Sequence, residues 1–332
     1  MSTISVIIPF LDAEKTLTRS ISSITEQTFQ RWELILVDNN SSDGSTIIAQ
    51  SYAQSDERIR IFHESTVGVA HAFNTGLTHA TGSYIARMDA DDFAHPTRLE
   101  KQLNFLQHYP GISLVSGQVR YQSSVSQPGM QHYVHWVNGI VLPEQIMLNR
   151  FVELPLINPT IMFRRECLEQ YGSYRDGDFP EDYELILRWL AQGAKMAKID
   201  DVVLDWHDSA NRLTRTHPRY STEAFYRIKT HFLALWLKQK NPFYPKVVVW
   251  GAGRKSRQRA RLLGNEGVQI VAYIDVVRNK TQERPCIFYE DIASPGEYFV
   301  LSYVANRGQR EKIRDFLVAK GYREGIDFLL AA

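Results

Sequence analysis

Four short apolar runs punctuate the N-terminal part of this chain: Ile4–Phe10, Trp32–Asp38, Ile59–Phe62 and Tyr84–Met88. Runs so short and so apolar predict strands buried on both faces, as in parallel sheets. Helical patterns separate them. One runs from Glu14 to about Thr28, with Leu17, Ile21 and Ile24 on one face; another ends near Ala53; a third spans Gly68 to Ala80. This alternation predicts an α/β fold, an open and mainly parallel sheet with helices on both faces. Ligands of such sheets bind outside the carboxyl ends of the strands. Pro9, Asp38 and Asp89 fall at three such ends, so three separated segments converge on one edge.

The fourth run ends in Asp89-Ala90-Asp91-Asp92. On a strand, side chains two apart point the same way, so Asp89 and Asp91 are expected to converge. Crowded carboxylates repel one another and lose solvation, so a cation is the simplest partner for them. Mg²⁺ or Mn²⁺ on one or two carboxylates keeps other positions for water and phosphates. Metal-assisted binding of a nucleoside diphosphate follows. A solvated acidic turn capping a helix before Pro96 is the plainer alternative.

The 332 residues suggest about two domains, and a net charge of +1 argues against a nucleic-acid binder. Two distant cysteines, Cys167 and Cys286, give no disulfide framework and suit a reducing compartment. The start reads as lacking a signal peptide, and no apolar stretch approaches the ~20 residues that span a bilayer.

The motifs Ser5-Val6-Ile7-Ile8-Pro9, Val37-Asp38-Asn39-Asn40-Ser41-Ser42-Asp43-Gly44-Ser45 and Met88-Asp89-Ala90-Asp91-Asp92, in this order, resemble family 2 glycosyltransferases of the GT-A fold. The resemblance covers roughly residues 1–215. It implies an inverting transfer of a sugar from a nucleotide-sugar donor, a UDP-sugar foremost, with Mn²⁺ or Mg²⁺. The acceptor is then a glycan or lipid-linked sugar, and the compartment the cytoplasm or the inner face of the membrane. Asp38 is the expected base reader, since a carboxylate accepts from a ring N–H; capping its own loop is the alternative. Pro9 and Phe10 line the nucleoside pocket, although strand alternation turns Phe10 away. The family often has Tyr-Asn where this chain has Leu11-Asp12, so no aromatic at position 11 stacks on the base. Asn74 matches the family's nucleotide-side Asn. Asp89 binds ribose or shares the metal, Asp91 is the main metal ligand, Asp92 caps the next helix, and Arg98 reaches a phosphate or simply partners the acids.

Further on, Asn158-Pro159-Thr160 stands where the family has His-Pro-Thr before the acceptor. Phe179-Pro180-Glu181-Asp182 opens a helix. Proline suits a first helical position and acids suit the positive end of the dipole, which explains both acids structurally. An inverting transfer also needs a carboxylate to take the acceptor proton. The resemblance assigns Asp182 as general base and Glu181 as acceptor contact, and leaves Glu184 on the surface. His207, in an expected loop, is a third metal-ligand candidate, and Arg212 and Arg215 are candidates for a lid over the diphosphate.

The expected domains are 1–220, a linking helix and boundary over 221–245, and 246–332. The linking helix carries Phe225, Ile228, Phe232, Leu235 and Trp236 as an apolar stripe; it packs between domains or lies on a membrane surface. Then Lys246–Asp275 reads as a Rossmann-like β-α-β unit within a second, smaller α/β domain. Gly251, Gly253, Arg254 and Asp275 form a second candidate nucleotide site. Ser256 takes the third glycine position, which speaks against ordinary NAD use. Two other classes stay open: a nucleotide-sugar-binding sensor or scaffold, and an NAD-dependent sugar oxidoreductase acting through the C-terminal domain.

Overall fold

The computed structural model describes residues 3–123, 127–208, 215, 217–278 and 284–332. The chain divides into two compact units, Met1–Ile146 with Pro155–Arg219, and Met147–Leu154 with Tyr220–Ala332. In chain order the elements begin β1 (Ile4–Phe10), α1 (Leu17–Thr25), β2 (Trp32–Asp38), α2 (Ser45–Ser55), β3 (Ile59–His63), α3 (Val69–His79) and β4 (Tyr84–Arg87). They continue with β5 (Phe93–Ala94), α4 (Arg98–His108), β6 (Leu114–Ser123), α5 (Pro128–Asn138) and α6 (Pro143–Asn149). After a 3-10 turn at Asn158–Thr160 come β7 (Met162–Arg164), α7 (Glu166–Tyr171), α8 (Glu181–Ala191) and β8 (Met196–Asp208).

The first unit is built on one mostly parallel sheet of order β3-β2-β1-β4-β7-β6-β8-β5. β7 runs antiparallel to β4 and β6, and β5 antiparallel to β8. The chain lays β2 and β3 to one side of β1 and β4 to the other. Their carboxyl ends therefore part between β1 and β4, where ligands of open α/β sheets bind. The β1–β4 register ends at Ile7 opposite Arg87, and Ile7 O takes the Met88 N–H at 3.1 Å. Two residues on, Pro9 presents the same side of β1 to the gap and has no N–H to leave unpaired there.

Alternation decides what each strand buries. Ile4, Val6, Ile8 and Phe10 share a core with Leu34 and Leu36 of β2 and with apolar residues of α1, α4 and α5. The opposite face carries α3. A Cβ at Gly76 would lie 2.5 Å from Ile7 Cγ2, so the helix backbone rests directly on β1.

Several boundaries differ from expectation. β4 stops at Arg87, so the acids sit in a turn and not on the strand. Residues 204–208, expected as a loop, extend the long strand β8, because Tyr121 and Gln122 of β6 offer Trp206 and His207 a pairing edge. A helix starts at Pro128, with the proline in its first turn where no N–H is needed.

The second unit contains α9 (Thr222–Lys240), β9 (Lys246–Trp250), α10 (Arg254–Ala260), α11 (Leu262–Asn265), β10 (Gln269–Asp275) and β11 (Cys286–Phe288). Then follow β12 (Val300–Ser302), α12 (Gln309–Ala319) and β13 (Phe328–Leu330). Its five strands are all parallel, in the order β11-β10-β9-β12-β13. Counted along the unit this is 3-2-1-4-5, a doubly wound arrangement. The buried residues of α9 include Tyr226, Thr230, Phe232, Leu233 and Leu237; of the expected stripe Phe232 is buried, Phe225, Ile228 and Trp236 are half-buried, and Leu235 stays 43% exposed. Among the described residues no helix is long and apolar enough to cross a membrane.

Gly76→Ala should lower stability in urea by about 1–3 kcal/mol, since the new methyl has no room against Ile7. Gly111→Ala, whose Cβ meets nothing within 4 Å, is the comparison expected to stay near wild type. Equal stability of the two variants would contradict the seating of α3 on β1.

Candidate active site

Polar side chains stitch together the loops that follow β1, β2 and β3. Ala13 N donates to Ser45 Oγ (2.8 Å), Glu14 N to Asp43 Oδ2 (3.0 Å), and Ser42 N to Asp12 Oδ1 (2.7 Å). Asn39 Nδ2 reaches Glu64 O (2.9 Å) and Thr66 O (2.8 Å), and its Oδ1 accepts from Gly68 N (2.7 Å) at the start of α3. Two non-glycine residues here, Asp12 (φ 49°) and Asn40 (φ 70°), hold left-handed conformations. Asp and Asn tolerate that region better than most residues.

Asp38 lies at the centre of this rim. Its Oδ1 accepts from Ser41 N (2.9 Å) and its Oδ2 from Thr46 Oγ1 (2.9 Å). The first caps its own loop and the second ties it to the first turn of α2. Each oxygen has a second lone pair, so capping does not preclude reading a ring N–H. Phe10 is corrected: it is 3% exposed and belongs to the core, because alternation puts it with Val6 and Ile8. Leu11, at 45% exposure, is the apolar side chain presented at that strand end. Asn74 Nδ2 donates to Tyr174 O (2.8 Å), while its buried Oδ1 has no partner among the described residues. That leaves one acceptor open.

The acidic turn is held by its backbone. Ser20 Oγ donates to Asp89 O (3.1 Å) and Arg19 Nη2 to Asp91 O (2.6 Å), both from α1. Asp89 and Asp91 remain half-buried. Asp92 is not a helix cap: it is buried, and its Oδ1 accepts the His207 N–H (2.8 Å), fastening the end of β8 to the turn. Arg98 is also corrected. It is 1% exposed and donates to Arg87 O (2.7 Å) and Gln102 Oε1 (3.1 Å), so it braces the strand from inside and does not face a phosphate.

His207 sits on β8, half-buried, with Nδ1 on Asp205 O (3.1 Å). That bond assigns the proton to Nδ1 and the lone pair to Nε2. Burial, then the nearby Arg19, lowers its pKa. Among the described residues no three His, Cys, Asp or Glu side chains gather closely enough to hold a metal ion. Asp89, Asp91 and His207 thus form no closed cage. A cation held by one or two carboxylates and by a diphosphate needs none, and the oxygen donors of Asp89 and Asp91 fit that kind of site. Arg212 lies outside the described residues. Arg215 pairs with Asp208 Oδ2 (2.6 Å).

Arg87, the last residue of β4, was given no role by sequence reasoning. Its side chain is 3% exposed, and Nη2 donates to Asp89 Oδ1 (3.1 Å). The guanidinium lies over the rings of Phe73 (5.1 Å) and Tyr174 (5.3 Å). With the Asn158 amide nitrogen turned to Tyr174 Oη (2.7 Å), the Asn158 oxygen accepts from Arg87 Nε (3.1 Å) and Nη1 (3.3 Å). Burial alone opposes this charge, but Tyr174, Asp89, Glu181 and Asp182 outweigh it and push its pKa up. A charged residue within an apolar strand was the available signal, since buried arginines are nearly always paired.

Glu181 and Asp182 open α8, with Pro180 at the preceding cap position. Asp182 Oδ1 accepts from the Tyr183 N–H (2.7 Å). Burial, then the charge of Glu181, raises the Asp182 pKa to about 7; the Tyr183 N–H and Arg87 pull the other way. A carboxyl poised there can accept a proton near neutrality. Glu184 is no surface residue. It is buried and bonded to Arg188 Nε (2.8 Å) and Nη2 (3.0 Å). Arg188 Nη2 also reaches Ser173 O (2.7 Å), and Trp189 Nε1 reaches Gly172 O (2.9 Å). These bonds lock α8 to the segment that carries Tyr174.

In the second unit Gly251 has φ 118°, and a Cβ there would lie 2.9 Å from Ser256 Oγ. Asp275 Oδ2 accepts from Ala252 N (3.1 Å) and Oδ1 from Val277 N (3.1 Å). The acid expected at a ribose thus bonds the glycine turn itself. Gly253 and Arg254 are exposed.

The profile of Glycosyl transferase family 2 matches residues 5–172, about half of the chain. EpsE of Bacillus subtilis (strain 168), named as a glycosyltransferase, is 33% identical over 66% of this chain and 78% of its own length. The amylovoran biosynthesis glycosyltransferase AmsE of Erwinia amylovora is 27% identical over 60% of this chain and 74% of its own. The fold is similar to that of S. aureus TarS residues 1–349, solved with UDP-GlcNAc, at a TM-score of 0.59 and 17% identity, covering 80% of this chain and 71% of that one.

A raised carboxylate pKa works against folding at neutral pH. Between an unfolded value near 3.8 and a folded value of about 7, the native state binds more protons than the unfolded one. Stability therefore falls as pH rises through that window. Asp182→Asn should relieve this, with a gain of about 2 kcal/mol at pH 8 that shrinks toward pH 5. Thermal melts across that range check it; a pH-independent difference would contradict a proton-holding Asp182.

Proposed function

The chain belongs to glycosyl transferase family 2, and from that premise we propose an inverting, metal-dependent transfer of a sugar from a nucleoside-diphosphate sugar, a UDP-sugar foremost, to an acceptor hydroxyl. One observation carries the reading. The acidic turn after β4 and the first turn of α8 act on the same buried guanidinium, with Asp89 bonded to Arg87 and both Glu181 and Asp182 within its electrostatic reach. This supports reading a donor-side acid and a proton acceptor into one site.

In this reading Asp38 accepts a hydrogen bond from the base and Asn74 takes part on the nucleotide side. Asp89 meets the ribose or shares the cation with Asp91, and His207 stands at the end of β8 as a further ligand. When bound, Mn²⁺ or Mg²⁺ supplies Lewis-acid neutralisation of charge on the diphosphate. Asp182 removes the proton from the acceptor hydroxyl as that oxygen attacks the anomeric carbon opposite the leaving group, and Glu181 orients the acceptor. A single displacement needs one such base. The name of AmsE places that relative in amylovoran biosynthesis. By analogy a glycan or lipid-linked sugar is the acceptor here, handled at the cytoplasmic side of a membrane.

Calorimetry with UDP, GDP, dTDP and CMP, with and without Mn²⁺, tests the donor side. One diphosphate should bind in a Mn²⁺-dependent way. Asp91→Asn should lose that binding, while Asp182→Asn keeps it; transfer should fall by about 100-fold or more in both. Equal loss of binding in the two variants would refute this division of roles. Metal-independent binding that survives Asp91→Asn would move the site to Gly251–Asp275.

A further inference from the structure

We propose that Arg87 is the positioning residue that joins the two halves of the reaction: its guanidinium fixes Asp89 on the donor side and counterbalances the Glu181–Asp182 pair on the acceptor side. The inference rests on the transferase reading and assigns a role to a residue that touches neither substrate in it. The geometry is confining. Nη2 is spent on Asp89 Oδ1 at 3.1 Å, and Nε and Nη1 meet the Asn158 oxygen at 3.1 and 3.3 Å. Phe73 of α3 and Tyr174 close over the group at 5.1 and 5.3 Å. Asn74, the neighbour of Phe73 on α3, is bonded to Tyr174 O at 2.8 Å, so the closing rings are themselves tied together.

The charges explain why the group is an arginine. Asp89 is bonded to Arg87, and the charges of Glu181 and Asp182 act on it from the start of α8. A planar fork can bond a carboxylate and an amide oxygen at once, whereas an ammonium acts as a compact point charge. Lysine at position 87 would keep the charge and lose the fixed directions. Methionine would keep the bulk and leave the acids unbalanced.

Three variants test the assignment: Arg87→Lys, Arg87→Met, and Arg87→Met combined with Glu181→Gln. Each is measured for folding by thermal melt, for Mn²⁺-dependent nucleotide binding by calorimetry, and for transfer as separate kcat and KM values. Arg87→Met should melt lower and lose kcat by about 100-fold, with nucleotide affinity changing far less. Arg87→Lys should recover about tenfold of that loss, through charge without direction. Adding Glu181→Gln should raise the melting temperature of Arg87→Met, because one of the unbalanced acids is gone. A wild-type kcat in Arg87→Lys or Arg87→Met overturns the proposal, as does a loss confined to donor KM. If Arg87→Met fails to fold, the kcat of Arg87→Lys decides alone. Wild-type protein that binds no nucleotide and transfers no sugar would instead refute the transferase reading itself.

Discussion

A guanidinium taken out of water needs acceptors around it, and Arg87 draws them from separate parts of the first unit. Asp89 comes from the turn after β4 and Asn158 from the 3-10 turn before β7. Phe73 comes from α3, and Tyr174 from the segment before α8. Removing one partner of a buried ion pair leaves an uncompensated charge, which costs far more than the net worth of the pair. The elements around Arg87 are therefore held in mutual register by electrostatics as much as by packing. The Glu184–Arg188 pair in α8 extends the same constraint to the backbone of residues 171–173.

Chain topology supplies the opening beside this cluster. β1 and β4 stay paired as far as Ile7 and Arg87 and then diverge. Proline at position 9 suits the divergence, since it has no donor to strand. The loops beyond β1, β2 and β3 bond to one another through Asp12, Asn39, Asp43 and Ser45, so the rim is braced from the side away from β4.

Much of this was legible in the sequence. Short apolar runs alternating with helical patterns imply a parallel sheet, and the ends at Pro9, Asp38 and Asp89 imply its functional edge. What escaped was mainly which side chains are buried and what they bond. The alternation that turns Phe10 from the gap was visible in the sequence, and the structure places its ring in the core. Arg98 reads as a phosphate contact or a partner of the acids, and only the structure shows Gln102 and the Arg87 carbonyl enclosing it. Glu184 sits among acids that suit a helix start, and only Arg188, one turn on, marks it as buried. His207 falls on a strand because β6 offers it an edge, a pairing that local propensity does not contain. The family motifs mark Asp182, but its tendency to hold a proton near neutrality comes from burial and from Glu181 beside it.

The bonds from Arg188 and Trp189 to the carbonyls of residues 171–173 bear on how the protein would move. They join α8 to the Tyr174 segment, and Tyr174 in turn touches α3 through Asn74. Swinging the first turn of α8 away from the sheet would break several buried hydrogen bonds together. Such a step is slow and sparsely populated compared with the rearrangement of an exposed loop. The first turn of α8 thus behaves as a fixed anvil. In the proposed reaction Asp182 is then carried by a fixed element, and rearrangement falls to segments outside this network.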